Sequence, residues 1–123
     1  MSWPIIGLIL ISVAISALAQ IILKHGMSAS EMQSAMTAGG MAAAWAIVGN
    51  GFVLLGLSLY GAGALLWLGV LARVDVSQAY PFMGLGFVLT MAFAWCFLGE
   101  SLVFSRILGT FLIVAGVVLV AHS

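Results

Sequence analysis

The sequence predicts an all-α integral membrane protein with four transmembrane helices, organised as one membrane domain over residues 1–123. Two observations carry that reading. Apolar residues fill 65% of the chain against 5% charged, with a mean hydropathy of +1.34, and the apolar residues collect into four long runs. Soluble domains are roughly half apolar and a quarter charged. Three basic and three acidic residues cannot cover the surface of a water-soluble fold of this length.

The runs lie at about 3–23, 43–71, 78–98 and 102–121. Each reaches the ~20 residues that a helix needs to cross a ~30 Å hydrocarbon core. The first contains SALAQ, with Ala17 and Ala19 at small-x-small spacing. No basic residue precedes the run, so it is expected to be kept as a helix rather than removed as a leader. The second run exceeds one span and is expected to tilt or bend near Gly61-Ala62-Gly63.

Between these runs, Ser28-Ala29-Ser30-Glu31 fits a capping box, with Met27 and Met32 at the staple positions and Gly39-Gly40 as the stop. The segment at about 29–38 is therefore expected to be a short interfacial helix. Its Met32 and Met36 share a face, which alternatively makes it an adaptable lid over a lipid. In the third run, Pro81 removes a donor and disfavours helical geometry at Tyr80, so DVSQAYP is expected to be an irregular start. In the fourth, Gly109 and Gly116 mark a small-residue seam that another helix can approach, either within the chain or from a second subunit.

The charges are too few and too scattered for several function classes. Lys24, Arg73 and Arg106 face Glu31, Asp75 and Glu100 in a chain of zero net charge. A nucleic-acid backbone needs clustered cations, so no nucleic-acid partner is expected. Cys96, His25 and His122 are too dispersed for a metal set, and neither a metal nor a cofactor is expected. No nucleophile, base and orienting group fall at a spacing that suggests an enzyme. With four spans, Lys24 and Arg106 lie on the side opposite Arg73, a two-to-one balance that leaves orientation nearly unspecified.

Ser12, Ser16, Gln20 and Lys24 recur every four residues, so on a helix they form one polar stripe. Such a stripe prefers a protein interior or a wet cavity to lipid tails. The serines could equally serve close helix packing. Lys24, ~31 Å along the helix from Trp3, could simply snorkel to the headgroups.

Three pieces, AQIILKHG at Ala19–Gly26, Val76 to Pro81, and ESLVFSRILG at Glu100–Gly109, occur in the order and spacing of a known family. With most of the chain outside residues 28–50, they resemble the small four-helix branch of the drug/metabolite transporter superfamily. The likeness is closer to the paired subunits proposed to flip aminoarabinose-phosphoundecaprenol in Gram-negative bacteria. The multidrug-exporter cousins carry a membrane glutamate where this chain has Ser16 and usually a tryptophan where it has Met83. Gly84 and Gly86 also fall one residue early against their pattern. A proton-trading acid and an aromatic wall for lipophilic cations are therefore missing.

The resemblance implies a multi-pass protein of the bacterial inner membrane that moves a polyprenyl-phosphate lipid or its sugar conjugate between leaflets. Four helices offer little wall for a polar headgroup, so the functional unit is expected to be a dimer, with itself or with a similar small subunit. The expected substrate contacts are Lys24 for the phosphate, supported by Gln20, Ser16 and Ser12. Tyr80 either packs or meets a sugar. Glu100 and Arg106 are expected mainly as a local pair, with Glu100 complementing the fourth helix dipole. Arg73 pairs with Asp75 in a loop or meets a phosphate at the far side. The alternatives are a proton- or gradient-coupled exporter of a small solute or cation, and an accessory subunit that transports nothing.

Overall fold

The computed structural model describes residues 2–123. In chain order the helices are α1 (Trp3–Met27), α2 (Ser30–Ala38), α3 (Gly40–Gly49), α4 (Gly51–Leu71), α5 (Val76–Ala79), α6 (Met83–Leu98) and α7 (Phe104–Ala121), with a 3-10 turn at Tyr80–Phe82 before α6. Four helical segments are long and apolar enough to cross a membrane: Trp3–Met27, Gly51–Leu71, Val76–Leu98 and Phe104–Ala121. The chain is a multi-pass membrane protein.

α1 starts with Pro4 in its first turn, where the missing donor costs nothing. At its other end the Ser28 hydroxyl donates to the Lys24 carbonyl at 2.6 Å. That bond replaces the expected capping box: α2 begins at Ser30 behind Ala29 and has no side-chain cap. The free carbonyls ending a long helix compete for the serine and win. The two methionines also part company, since Met32 is buried and Met36 exposed. Gly39, at φ 132°, ends α2 in a conformation open to glycine.

The expected second span is broken, and not at Gly61-Ala62-Gly63, through which α4 runs unbroken. The break is Asn50, whose extended backbone separates α3 from α4. Its Oδ1 accepts from the Val53 amide at 3.1 Å, capping α4, while its Nδ2 donates to the Gly26 carbonyl at 3.2 Å. One side chain thus starts α4 and satisfies the end of α1. Before α6, Tyr80 takes helical angles, φ −61° and ψ −39°, contrary to the expectation from Pro81. The proline sits in the first turn of the 3-10 segment, where its missing donor is not needed. α6 stops at Gly99, φ 68°, and the Glu100 amide closes back on the Ala94 carbonyl at 3.3 Å. Such a left-handed glycine end is a common stop.

α1 is the hub. It runs antiparallel to α4 along a seam with no room for side chains on three glycines. A Cβ at Gly26 would stand 2.8 Å from Val53 Cγ2, one at Gly56 2.7 Å from Leu23 Cγ, and one at Gly63 2.9 Å from Ser16 Oγ. Lipid tails are as apolar as leucine, so this close approach holds the helices through van der Waals contact rather than water exclusion. Parallel to α1 runs α6, where a Cβ at Gly86 would lie 3.2 Å from Val13 Cγ1. α7 leans on the start of α6, with Gly84 beneath Ile113 and Val117. The buried cluster Ile9, Val13, Val70, Ala79, Phe82 and Val117 closes the end of the bundle near the α4–α5 loop.

Candidate functional site

A cavity of about 590 Å³ runs along α1, α4 and α6. α1 contributes Ser16 and Gln20, α4 contributes Tyr60, the 3-10 turn contributes Tyr80, and α6 lines it from Met83 through Thr90 to Ala94. Tyr80 and Ala94 are separated by ~21 Å of helical rise, so the cavity follows a large part of a membrane span. At the α6–α7 connection it is lined by Glu100, Ser101 and Arg106. Because α6 runs parallel to α1, this part of the cavity lies toward the same end of the bundle as Lys24.

Five of the residues expected at a site therefore meet in one space: Ser16, Gln20, Tyr80, Glu100 and Arg106. Ser12 does not join them. It is 2% exposed, and its hydroxyl donates to the Gly63 carbonyl at 2.8 Å across the α1–α4 seam. Helix packing takes this serine because a drifting every-fourth spacing carries the stripe around α1. Lys24 is exposed and outside the lining. Arg73 lies beyond the C-terminal end of α4, where its Nη1 donates to the Gly69 carbonyl at 2.7 Å. It folds onto its own helix end, a favourable place for a cation.

Arg106 does not form the expected pair with Glu100. Its Nη1 donates to the Ser101 carbonyl at 3.3 Å. Glu100 also lies outside α7, whose first turn holds no acidic residue, so the expected complement to the helix dipole is not made. The N-terminal end of α7 instead has Arg106 beside it and no side-chain cap from Val103. A cation next to the positive end of a helix makes a region that favours an anion. Within the lining, Glu100 is the one carboxylate and Arg106 the one cation.

Gly109 and Gly116 meet nothing within 4 Å of an added Cβ. The intramolecular packing that they could have served is absent, and their face of α7 is open. Tyr60, Thr90, Met91 and Ser101 belong to the lining but were not expected from the sequence. The signal for two of them was present: Tyr60 and Thr90 place hydroxyls in otherwise apolar stretches of a span, where a polar group needs a reason.

No family model and no solved structure matches the chain. Curated relatives do. A probable 4-amino-4-deoxy-L-arabinose-phosphoundecaprenol flippase subunit ArnE from Pseudomonas aeruginosa is 44% identical over 69 residues, 56% of this chain and 60% of the relative. The protein of the same name from Klebsiella pneumoniae is 41% identical over 71 residues, 56% of this chain and 63% of its own length. In these two the chain spans about three fifths of the relative. The Erwinia tasmaniensis protein is 36% identical over 88 residues, which cover 71% of this chain and 76% of that relative. With more than a third of positions shared across three quarters of that last protein, the chain belongs to the family of small membrane subunits named ArnE.

Proposed function

We propose that this chain is one subunit of an inner-membrane flippase that moves a polyprenyl-phosphate lipid or its sugar conjugate between leaflets. The observation that carries this reading is the cavity, which joins polar side chains at Ser16, Gln20, Tyr80, Glu100 and Arg106 to apolar walls. Its volume of about 590 Å³ lies in the ordinary range for small-ligand sites, roughly 300–1,000 Å³. That suits a phosphate and one sugar ring. A polyprenyl tail is far larger and stays in the lipid, where it costs nothing to leave it.

In this reading Arg106 takes the phosphate, aided by the positive end of α7. Gln20, Ser16 and Tyr80 offer hydrogen-bonding groups along the path of the headgroup. Lys24, toward the same end but outside the lining, draws anionic lipid toward the cavity. Gln20, Tyr80, Glu100 and Arg106 are all exposed in the single chain, an expensive condition against lipid tails. A second subunit, identical or similar, laid over the open side would cover them. The names of the relatives, which call each a flippase subunit, support an assembly of this kind.

The test is translocation in liposomes carrying a fluorescent polyprenyl-phosphate sugar, read by a quencher confined to the outer face. The chain, alone or co-reconstituted with a similar small subunit from its source, is expected to speed exchange between leaflets. Arg106→Gln should reduce that rate at least about tenfold, the scale of losing one charge-assisted contact, with helix content unchanged. Exchange no faster than in protein-free liposomes under both conditions would overturn the proposal.

A further inference from the structure

At the α6–α7 connection the cavity lining carries one carboxylate and one guanidinium that do not pair with each other. Arg106 instead spends a hydrogen bond on the Ser101 carbonyl, and Glu100, on the short connection after Gly99, faces the same space. Two opposite charges six residues apart would neutralise each other if their role were to hold the loop together. Left separate, they form a receptor for a group that itself carries opposite charges held apart. A phosphate-linked amino sugar is such a group, because its ring stands between the ammonium and the phosphodiester. Plain polyprenyl phosphate, an anion alone, needs only the cation.

We infer that Glu100 is the specificity-determining residue of this cavity: its carboxylate takes the ammonium of an amino-sugar headgroup whose phosphate is held by Arg106. The inference rests on the flippase reading above and adds the discrimination between aminated and non-aminated lipid. An N-acylated sugar keeps the size and the phosphate but loses the positive charge. In that state Glu100 confronts a neutral amide and, toward the phosphate, contributes repulsion. Selectivity thus arises from both an attractive and a repulsive contribution of one side chain.

The experiment compares three probes on the full-length chain in nanodiscs, with binding read by native mass spectrometry: undecaprenyl phosphate, the same lipid bearing 4-amino-4-deoxy-L-arabinose, and that lipid N-acetylated. Wild type should prefer the free amine over the N-acetyl form by roughly tenfold, the scale of one charge-assisted contact. Glu100→Gln should bring the two within about twofold while still binding undecaprenyl phosphate, and Glu100→Asp should keep part of the preference. Because Glu100 is exposed on a connection, the amide variant is expected to fold, with thermal unfolding as the control. A preference that survives Glu100→Gln, or equal binding of the two sugar lipids by wild type, overturns the inference and leaves the flippase reading standing. Failure of wild type to bind any of the three overturns both.

Discussion

Asn50 joins two helix ends through one amide, accepting from the Val53 amide and donating to the Gly26 carbonyl. Asn50→Ala removes both bonds and should cost about 1–2 kcal/mol, seen as a lower unfolding temperature in detergent. Asn50→Asp keeps the acceptor and should fall between. Ser12 and Arg106 separate packing from binding in the same way. Ser12→Ala should lose about 0.6 kcal/mol of stability, typical of a hydrogen bond between membrane helices, and leave lipid binding unchanged. Arg106→Gln should do the reverse. Lys24→Gln should slow capture of polyprenyl phosphate by the reconstituted protein more than it weakens equilibrium binding, because a charge outside the cavity steers rather than holds. A larger equilibrium loss from Lys24→Gln than from Arg106→Gln would move the phosphate to Lys24.

At the scale of the helices, glycine has two different meanings in this chain. In the α1–α4 seam a Cβ at Gly56 would meet Leu23 at 2.7 Å and one at Gly63 would meet Ser16 at 2.9 Å. Gly56→Val or Gly63→Val should therefore push the helices apart and cost about 1–3 kcal/mol. On α7, a Cβ at Gly109 or Gly116 would meet nothing within 4 Å, so Gly109→Ile and Gly116→Ile should leave the folded subunit as stable as before. If α7 is the contact between subunits, the same two variants should lower crosslinking yield sharply. Unaltered crosslinking in both would place the contact on another helix. Identical spacing arguments at the sequence level could not tell these two pairs of glycines apart, because both pairs sit seven residues from each other on an apolar helix.

For the molecule as a whole, the open side of the cavity leads to a prediction about assembly. Native mass spectrometry from lipid should find a two-subunit complex retaining a polyprenyl phosphate, and the monomer released at higher activation should lose that lipid. A monomer that keeps it would mean that one chain encloses the headgroup unaided. What the sequence determined by itself is the four-span helical class, because membrane solvation acts on each ~20-residue segment independently of its neighbours. It also determined the stop at Gly39, which follows from local backbone chemistry, whereas Tyr80 takes helical angles despite Pro81. Only the tertiary structure decided which members of the polar stripe line the cavity, sending Ser12 into the α1–α4 seam and Ser16 and Gln20 into the open. The same holds for the break at Asn50, which needs the Gly26 carbonyl 24 residues away, and for Glu100 and Arg106, which come to line one cavity with Gln20 and Tyr80 only once α1, α6 and the α6–α7 connection are packed. The physical reason is range: hydropathy and turn chemistry act over a few residues, whereas a helix face acquires its role from the particular helix laid against it.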